Sequence, residues 1–178
     1  MELIDALFDL CKTTARPIIT IDGPAGAGKT TLAEHISTAM SLKYKCTTLH
    51  MDDLYNGWET PFDHHLTDAL IGACRAHQKS QRISLSIYNW GTGKYGAVQG
   101  VPPCQLLILE GVASSHLVIR EFVTASIWID IDPAVGVERV LLRDGDAISH
   151  QMNSWLIKQA QHFLDNDSQN ASDFVLTN

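Results

Sequence analysis

The residues with the most explicit chemistry are Gly23-Pro24-Ala25-Gly26-Ala27-Gly28-Lys29-Thr30, a complete G-x-x-x-x-G-K-S/T phosphate-binding loop. Its glycines let backbone N–H groups curl around an anion, and the start of the following helix adds a positive dipole end. Lys29 is placed to reach the β- and γ-phosphates of a nucleotide, and the Thr30 hydroxyl to ligate Mg²⁺.

Three further groups lie where a parallel α/β sheet presents its ligands, beyond the carboxyl ends of strands. Asp52-Asp53 with Tyr55 follows the second strand. A carboxylate there either takes the proton of a substrate hydroxyl or caps the next helix, and Asp52 is the better candidate for the base. Glu110 ends the apolar run Leu106-Leu107-Ile108-Leu109; it either holds Mg²⁺ or is simply solvated. Arg139 and Arg143, four residues apart on one helix face, either stabilise a phosphoryl group in transfer or pair with Glu138 and Asp144.

The elements that must position these groups follow from periodicity. Residues 17–22 are short, apolar and β-branched, as a buried strand requires, and Lys29 to Met40 carries apolar residues at helical spacing. Further strands are predicted at Lys45–His50, Gln105–Glu110, Ser126–Ile131 and Asp173–Thr177. Helices are predicted at 3–11, 66–77, from Asp132-Pro133 through Arg143, and at 151–164. Fully apolar strands separated by helices imply a parallel sheet covered on both faces. Between the second and third of these strands, Gly91-x-Gly93-x-x-Gly96 formally matches a dinucleotide fingerprint. Gly100 and Pro102-Pro103 leave no helix after it, so a mobile glycine-rich loop carrying aromatics is expected. Trp58, Phe62 and Tyr88 either line an acceptor pocket or belong to the core.

The 178 residues predict one domain, 1–178, and 45% hydrophobic against 19% charged residues predicts a real core. A formal charge of −7 argues against a dedicated nucleic-acid or anionic-membrane surface. The four cysteines form no C-x-x-C pair, so reduced thiols are expected, and the eight histidines show no metal-ligand spacing. The acidic start Met1-Glu2-Leu3-Ile4-Asp5 lacks the basic region of a signal peptide, and no apolar run approaches the ~20 residues that span a bilayer. The expected compartment is the cytoplasm.

The chain resembles the uridine kinase and phosphoribulokinase group of P-loop kinases. The similar stretches are Ile21-Asp22-Gly23 through Thr31, Met51-Asp52-Asp53-Leu54-Tyr55, Phe62-Asp63-His64, Tyr88-Asn89-Trp90, Leu109-Glu110-Gly111, and Arg139 to Gly145. The resemblance implies a three-layer P-loop NTPase fold with a five-stranded sheet of order 2-3-1-4-5, and transfer of the ATP γ-phosphate to a hydroxyl. It implies that 23–31, through Thr31, holds the nucleotide, with Thr30 and Glu110 on the magnesium. It also implies that Asp52 is the base, that Tyr55, Asp63 and Tyr88 contact the acceptor, and that Arg139 and Arg143 are lid residues. Two functional classes stand side by side: a kinase for a nucleoside-like or other small hydroxyl-bearing acceptor, and a nucleotide-binding sensor or interaction module without efficient transfer.

Overall fold

The computed structural model describes residues 2–178. Helix α1 (Leu3–Cys11) leads into β1 (Ile18–Asp22), then α2 (Lys29–Met40), β2 (Cys46–His50) and α3 (His64–Gln78). The strands β3 (Ile83–Asn89) and β4 (Lys94–Val101) precede β5 (Leu106–Glu110) and β6 (Ala125–Asp130). Helices α4 (Pro133–Asp144) and α5 (Ser149–Asn166) and strand β7 (Phe174–Thr177) close the chain. No helix among the described residues is long and apolar enough to cross a membrane.

Five strands form one parallel sheet in the order β2-β5-β1-β6-β7. Numbered among themselves along the chain, they read 2-3-1-4-5, the order the resemblance implies. Each observed strand lies within a residue or so of its predicted bounds, and α5 begins two residues early, at Ser149.

The sheet is sandwiched because alternate residues of the same strand point to opposite faces. On β1, Ile19 and Ile21 join Leu7, Ala33, Ile36 and Met40 under α1 and α2. Ile18 joins Leu66, Leu70, Leu107, Leu109 and Trp155 beneath α3 and α5 on the other face. All of these except Ala33 and Trp155 are fully inaccessible, and burying each large aliphatic side chain contributes roughly 1.5–3 kcal/mol. The register aligns the functional ends: Ile21 pairs with Glu110, and His50 with Glu110 from the other side. Asp22, His50 and Glu110 therefore end three adjacent strands at one rim.

The glycine-rich segment expected to be a mobile loop is a β-hairpin. β3 and β4 pair antiparallel from Ile83↔Val101 to Asn89↔Lys94 and form a separate two-stranded sheet. Its base is anchored by Ile83 and Leu85, both buried. Its turn is closed by Asn89, whose carbonyl accepts from Gly93 N at 2.8 Å and whose side chain accepts from Thr92 N at 2.9 Å. Gly93, at φ +68°, supplies the left-handed conformation the turn needs.

Candidate active site

The phosphate-binding loop leaves β1 at Asp22 and enters α2 at Lys29, with Gly26 and Gly28 at φ +78° and +91°. A Cβ on Gly26 would collide with the backbone of Gly136 on α4, and one on Gly136 would collide with Ala25 O, so loop and helix meet backbone to backbone. Lys29 is buried, and its ammonium donates to Gly23 O at 2.8 Å and Pro24 O at 2.7 Å. Burial lowers its pKa, and the charges of Asp22, Asp52 and Glu110 oppose that shift. Ala25 N donates to Gln159 Oε1 of α5 at 3.1 Å, and Ala27 O accepts from Asn178 Nδ2 at 2.7 Å. Thr31 is exposed in the first turn of α2.

Asp22 is fully buried and accepts backbone N–H bonds from Gly23 (2.7 Å), Ala113 (3.1 Å) and Ser115 (3.0 Å). Burial pushes its carboxyl up to about 6, against those donors and the Lys29 charge. It ties the start of the phosphate loop to the segment after β5, where Ala113 adopts φ +69° without being glycine.

Glu110 is buried at the end of β5, not solvated. Its Oε1 accepts the Thr30 hydroxyl at 3.1 Å and lies 2.5 Å from His50 Nδ1. The hydrogen bond to Glu110 raises the His50 pKa; partial burial lowers it, and the carboxylates of Glu110, Asp53 and Asp52 add to the rise. Asp52 sits in a short 3₁₀ turn, Met51–Asp53, directly after β2. The residue is exposed at its edge while its carboxyl faces the crowded strand ends, and this crowding and the Glu110 charge raise its pKa against the pull of Lys29 and Arg143. Lys29, Asp52 and Glu110 thus share one electrostatic environment.

On α4 the two arginines have different partners. Arg143 makes a two-pronged pair with Asp144, Nε to Oδ1 at 2.8 Å and Nη2 to Oδ2 at 2.7 Å, and the charges of Asp52 and Glu110 also reach it. Arg139 Nη1 donates to Gly26 O of the phosphate loop at 3.4 Å.

The residues implied to contact the acceptor are corrected in part. Tyr55 is 1% exposed, packs edge-on against Trp155 and Phe62, and donates its hydroxyl to Val112 O at 2.8 Å. It is a core residue that fixes the loop after β5. Asp63 is the N-cap of α3: Oδ1 accepts from His65 N at 2.9 Å, and Oδ2 from Asn56 Nδ2 at 2.7 Å. Ligand atoms of Asp63, His64 and His65 come within 4.8 Å of one another, although the Asp63 carboxylate is committed to these two donors. Tyr88 is half-buried between Trp90 (5.2 Å) and Tyr95 (5.3 Å). Trp58 bridges the Trp90 and Trp155 rings, and Phe62 lies against Trp155 and His162. The aromatics therefore form one continuous stack from the core to the hairpin tip.

Three residues absent from the sequence-based site matter here. Asp22 immediately precedes the loop, and His50 ends its strand, so the strand-end rule reaches both. Gln159 falls on the predicted helix stripe, and a polar side chain inside an apolar stripe is the signal that exposes it; it also accepts from Trp155 Nε1 at 3.0 Å.

Hydroxyl and carboxylate oxygens are the donor set that Mg²⁺ prefers, so Thr30 and Glu110 fit a magnesium ion, with Asp52 beside them. The loop amides, a helix start free of acidic residues, and Lys29 fit a polyphosphate.

No family model matches the chain, and no curated protein does. Among solved structures, it superposes on a possible uridine kinase from Bacillus stearothermophilus with a TM-score of 0.68 at 20% identity, over 99% of this chain and 100% of that one. A D-glycerate 3-kinase from Cryptococcus neoformans var. grubii serotype A gives a TM-score of 0.67 at 12% identity, over 99% and 96%. The fold is the three-layer α/β fold of P-loop kinases.

Proposed function

We propose that the chain is an ATP-dependent kinase that transfers the γ-phosphoryl group to a hydroxyl of a small acceptor, nucleoside-like or of another kind. The observation that carries this reading is the shared environment of Lys29, Asp52 and Glu110 at the rim of three adjacent strands. A nucleotide-binding module needs the loop and Lys29, but it does not need a second carboxylate, Asp52, in the turn directly after the neighbouring strand.

In this scheme the loop amides and Lys29 hold the β- and γ-phosphates, and Arg143 faces the same charge from α4. Magnesium, held by Thr30 and Glu110, would neutralise phosphate charge. The acceptor oxygen attacks the γ-phosphorus as Asp52 takes its proton. The new O–P bond forms while the bond from the γ-phosphorus to the bridging oxygen breaks, and the electron pair leaves with ADP. Orientation carries much of the catalysis, because the transition state itself needs little covalent help.

The test is ADP release from Mg–ATP against a panel of nucleosides, sugars and vitamin precursors, with Lys29→Ala and Asp52→Asn beside the wild type. Acceptor-dependent release that falls roughly 10²- to 10⁴-fold in Asp52→Asn, with nucleotide affinity nearly kept, supports the reading. Nucleotide binding by calorimetry with no acceptor-dependent release across the panel overturns it.

A further inference from the structure

The β3–β4 hairpin reaches back to the turn that carries Asp52 and holds it by its backbone. Trp90 Nε1 donates to Asp52 O at 2.9 Å, and Tyr95 OH donates to Leu54 O at 2.9 Å. From within, the same turn is held by Met51 O, which accepts from Leu54 N at 2.8 Å and Tyr55 N at 3.2 Å. The inner carbonyl is thus bound by the turn itself, and two outer carbonyls are bound by the hairpin.

Both donors pack between neighbouring rings. The Trp90 ring lies between Trp58 (5.1 Å) and Tyr88 (5.2 Å), and the Tyr95 ring between Tyr88 (5.3 Å) and His65 (5.5 Å). Trp58 is in turn fixed from α5, where Lys158 Nζ donates to Trp58 O at 2.6 Å. An indole N–H only donates, and at this turn it donates to the Asp52 carbonyl. Neither bond uses the Asp52 carboxylate, which stays free for chemistry.

We infer that Trp90 and Tyr95 are positioning residues: through the backbone of residues 52–54 they set the Asp52 carboxylate against the acceptor hydroxyl. The inference rests on the reading of Asp52 as the base. A base displaced by about 1 Å loses on the order of a hundredfold in rate, so a backbone grip of this kind has a kinetic signature.

The variants Trp90→Phe and Tyr95→Phe keep an aromatic ring in the stack and remove the donor. In the acceptor-dependent assay each lowers kcat about tenfold, with nucleotide affinity by calorimetry within about twofold of wild type. In an Asp52→Asn background the same substitutions cost nothing further, because they act through the base. Unchanged kcat, or an equal loss in both backgrounds, overturns the inference. Hydrogen exchange gives an arm independent of turnover: backbone amides of residues 51–56 exchange faster in both variants, and unchanged exchange also overturns it. A wild-type protein without acceptor-dependent turnover defeats the kinase reading alone, and the exchange arm still decides whether the hairpin grips the turn.

Discussion

His50 Nδ1 and Thr30 Oγ1 meet on a single oxygen, Oε1 of Glu110, at 2.5 Å and 3.1 Å. The strand end of β5 is therefore occupied from both sides, by the last residue of β2 and the first turn of α2. A cation that ligates Oε1 of Glu110 must displace or share these bonds.

His50→Ala follows directly. It leaves the buried Glu110 carboxylate without its hydrogen-bond partner on β2 and lowers stability by about 1 kcal/mol without magnesium. The freed oxygen then binds Mg²⁺ more tightly. Thermal melts with and without Mg–ATP check this: the variant gains more from Mg–ATP than the wild type does. An equal gain in both removes Glu110 from the metal site.

Asp22→Asn is isosteric but puts an amide NH₂ among three backbone N–H donors. One donor is left facing another inside the protein, at a cost of roughly 2–4 kcal/mol. Urea unfolding measures the loss, and nucleotide affinity falls with it because the loop start is no longer tied to Ala113 and Ser115. A variant as stable as wild type denies Asp22 this structural role.

His162 gives the molecule an acid limb. Burial depresses its pKa from 6.5 to about 4, with the charge of His116 adding to the shift. Above pH 6.5 both folded and unfolded chains hold it neutral, so it has no effect there. Between 6.5 and about 4 the unfolded chain takes up a proton that the folded chain refuses, so stability falls as pH falls. The full loss is about 3 kcal/mol, reached near pH 4. The Asp22 carboxyl, raised to about 6, acts with the opposite sign over part of this window, so the wild-type urea midpoint minus that of His162→Gln isolates the His162 slope: it falls as pH falls.

Tyr55→Phe separates core from acceptor contact. It strands Val112 O and costs about 1 kcal/mol of stability, while kcat and the acceptor KM stay near wild type. A large rise in acceptor KM at unchanged stability returns Tyr55 to the acceptor site.

How much of this was legible varies by element. The sheet strands were readable because burial on both faces leaves an unbroken apolar run, as in Leu106-Leu107-Ile108-Leu109. The hairpin was not, because periodicity records burial. β4 is exposed along most of its length and carries Gly96 and Gly100, so Lys94–Val101 leaves no pattern to read. Ile83 and Leu85 on β3 do alternate with serines, a signal the neighbouring glycines obscured. The positions of the phosphate loop, Asp52 and Glu110 were legible from spacing and strand ends. The roles of Asp22 and Tyr55 were not, because their partners lie 91 and 57 residues away. Asp63 shows the opposite case: a local capping use that sequence alone could not tell from an acceptor contact.

The contact between Gly26 and Gly136 has a mechanical consequence. Two surfaces that meet without side chains have no clearance and no cushion; they form a stop. Helix α4 cannot come nearer to the phosphate loop, and a methyl group added on either side would force the two apart. The spacing of the loop from α4 is thereby set in the main chain, and Arg139, which donates to Gly26 O, is fastened to the same joint that sets its reach.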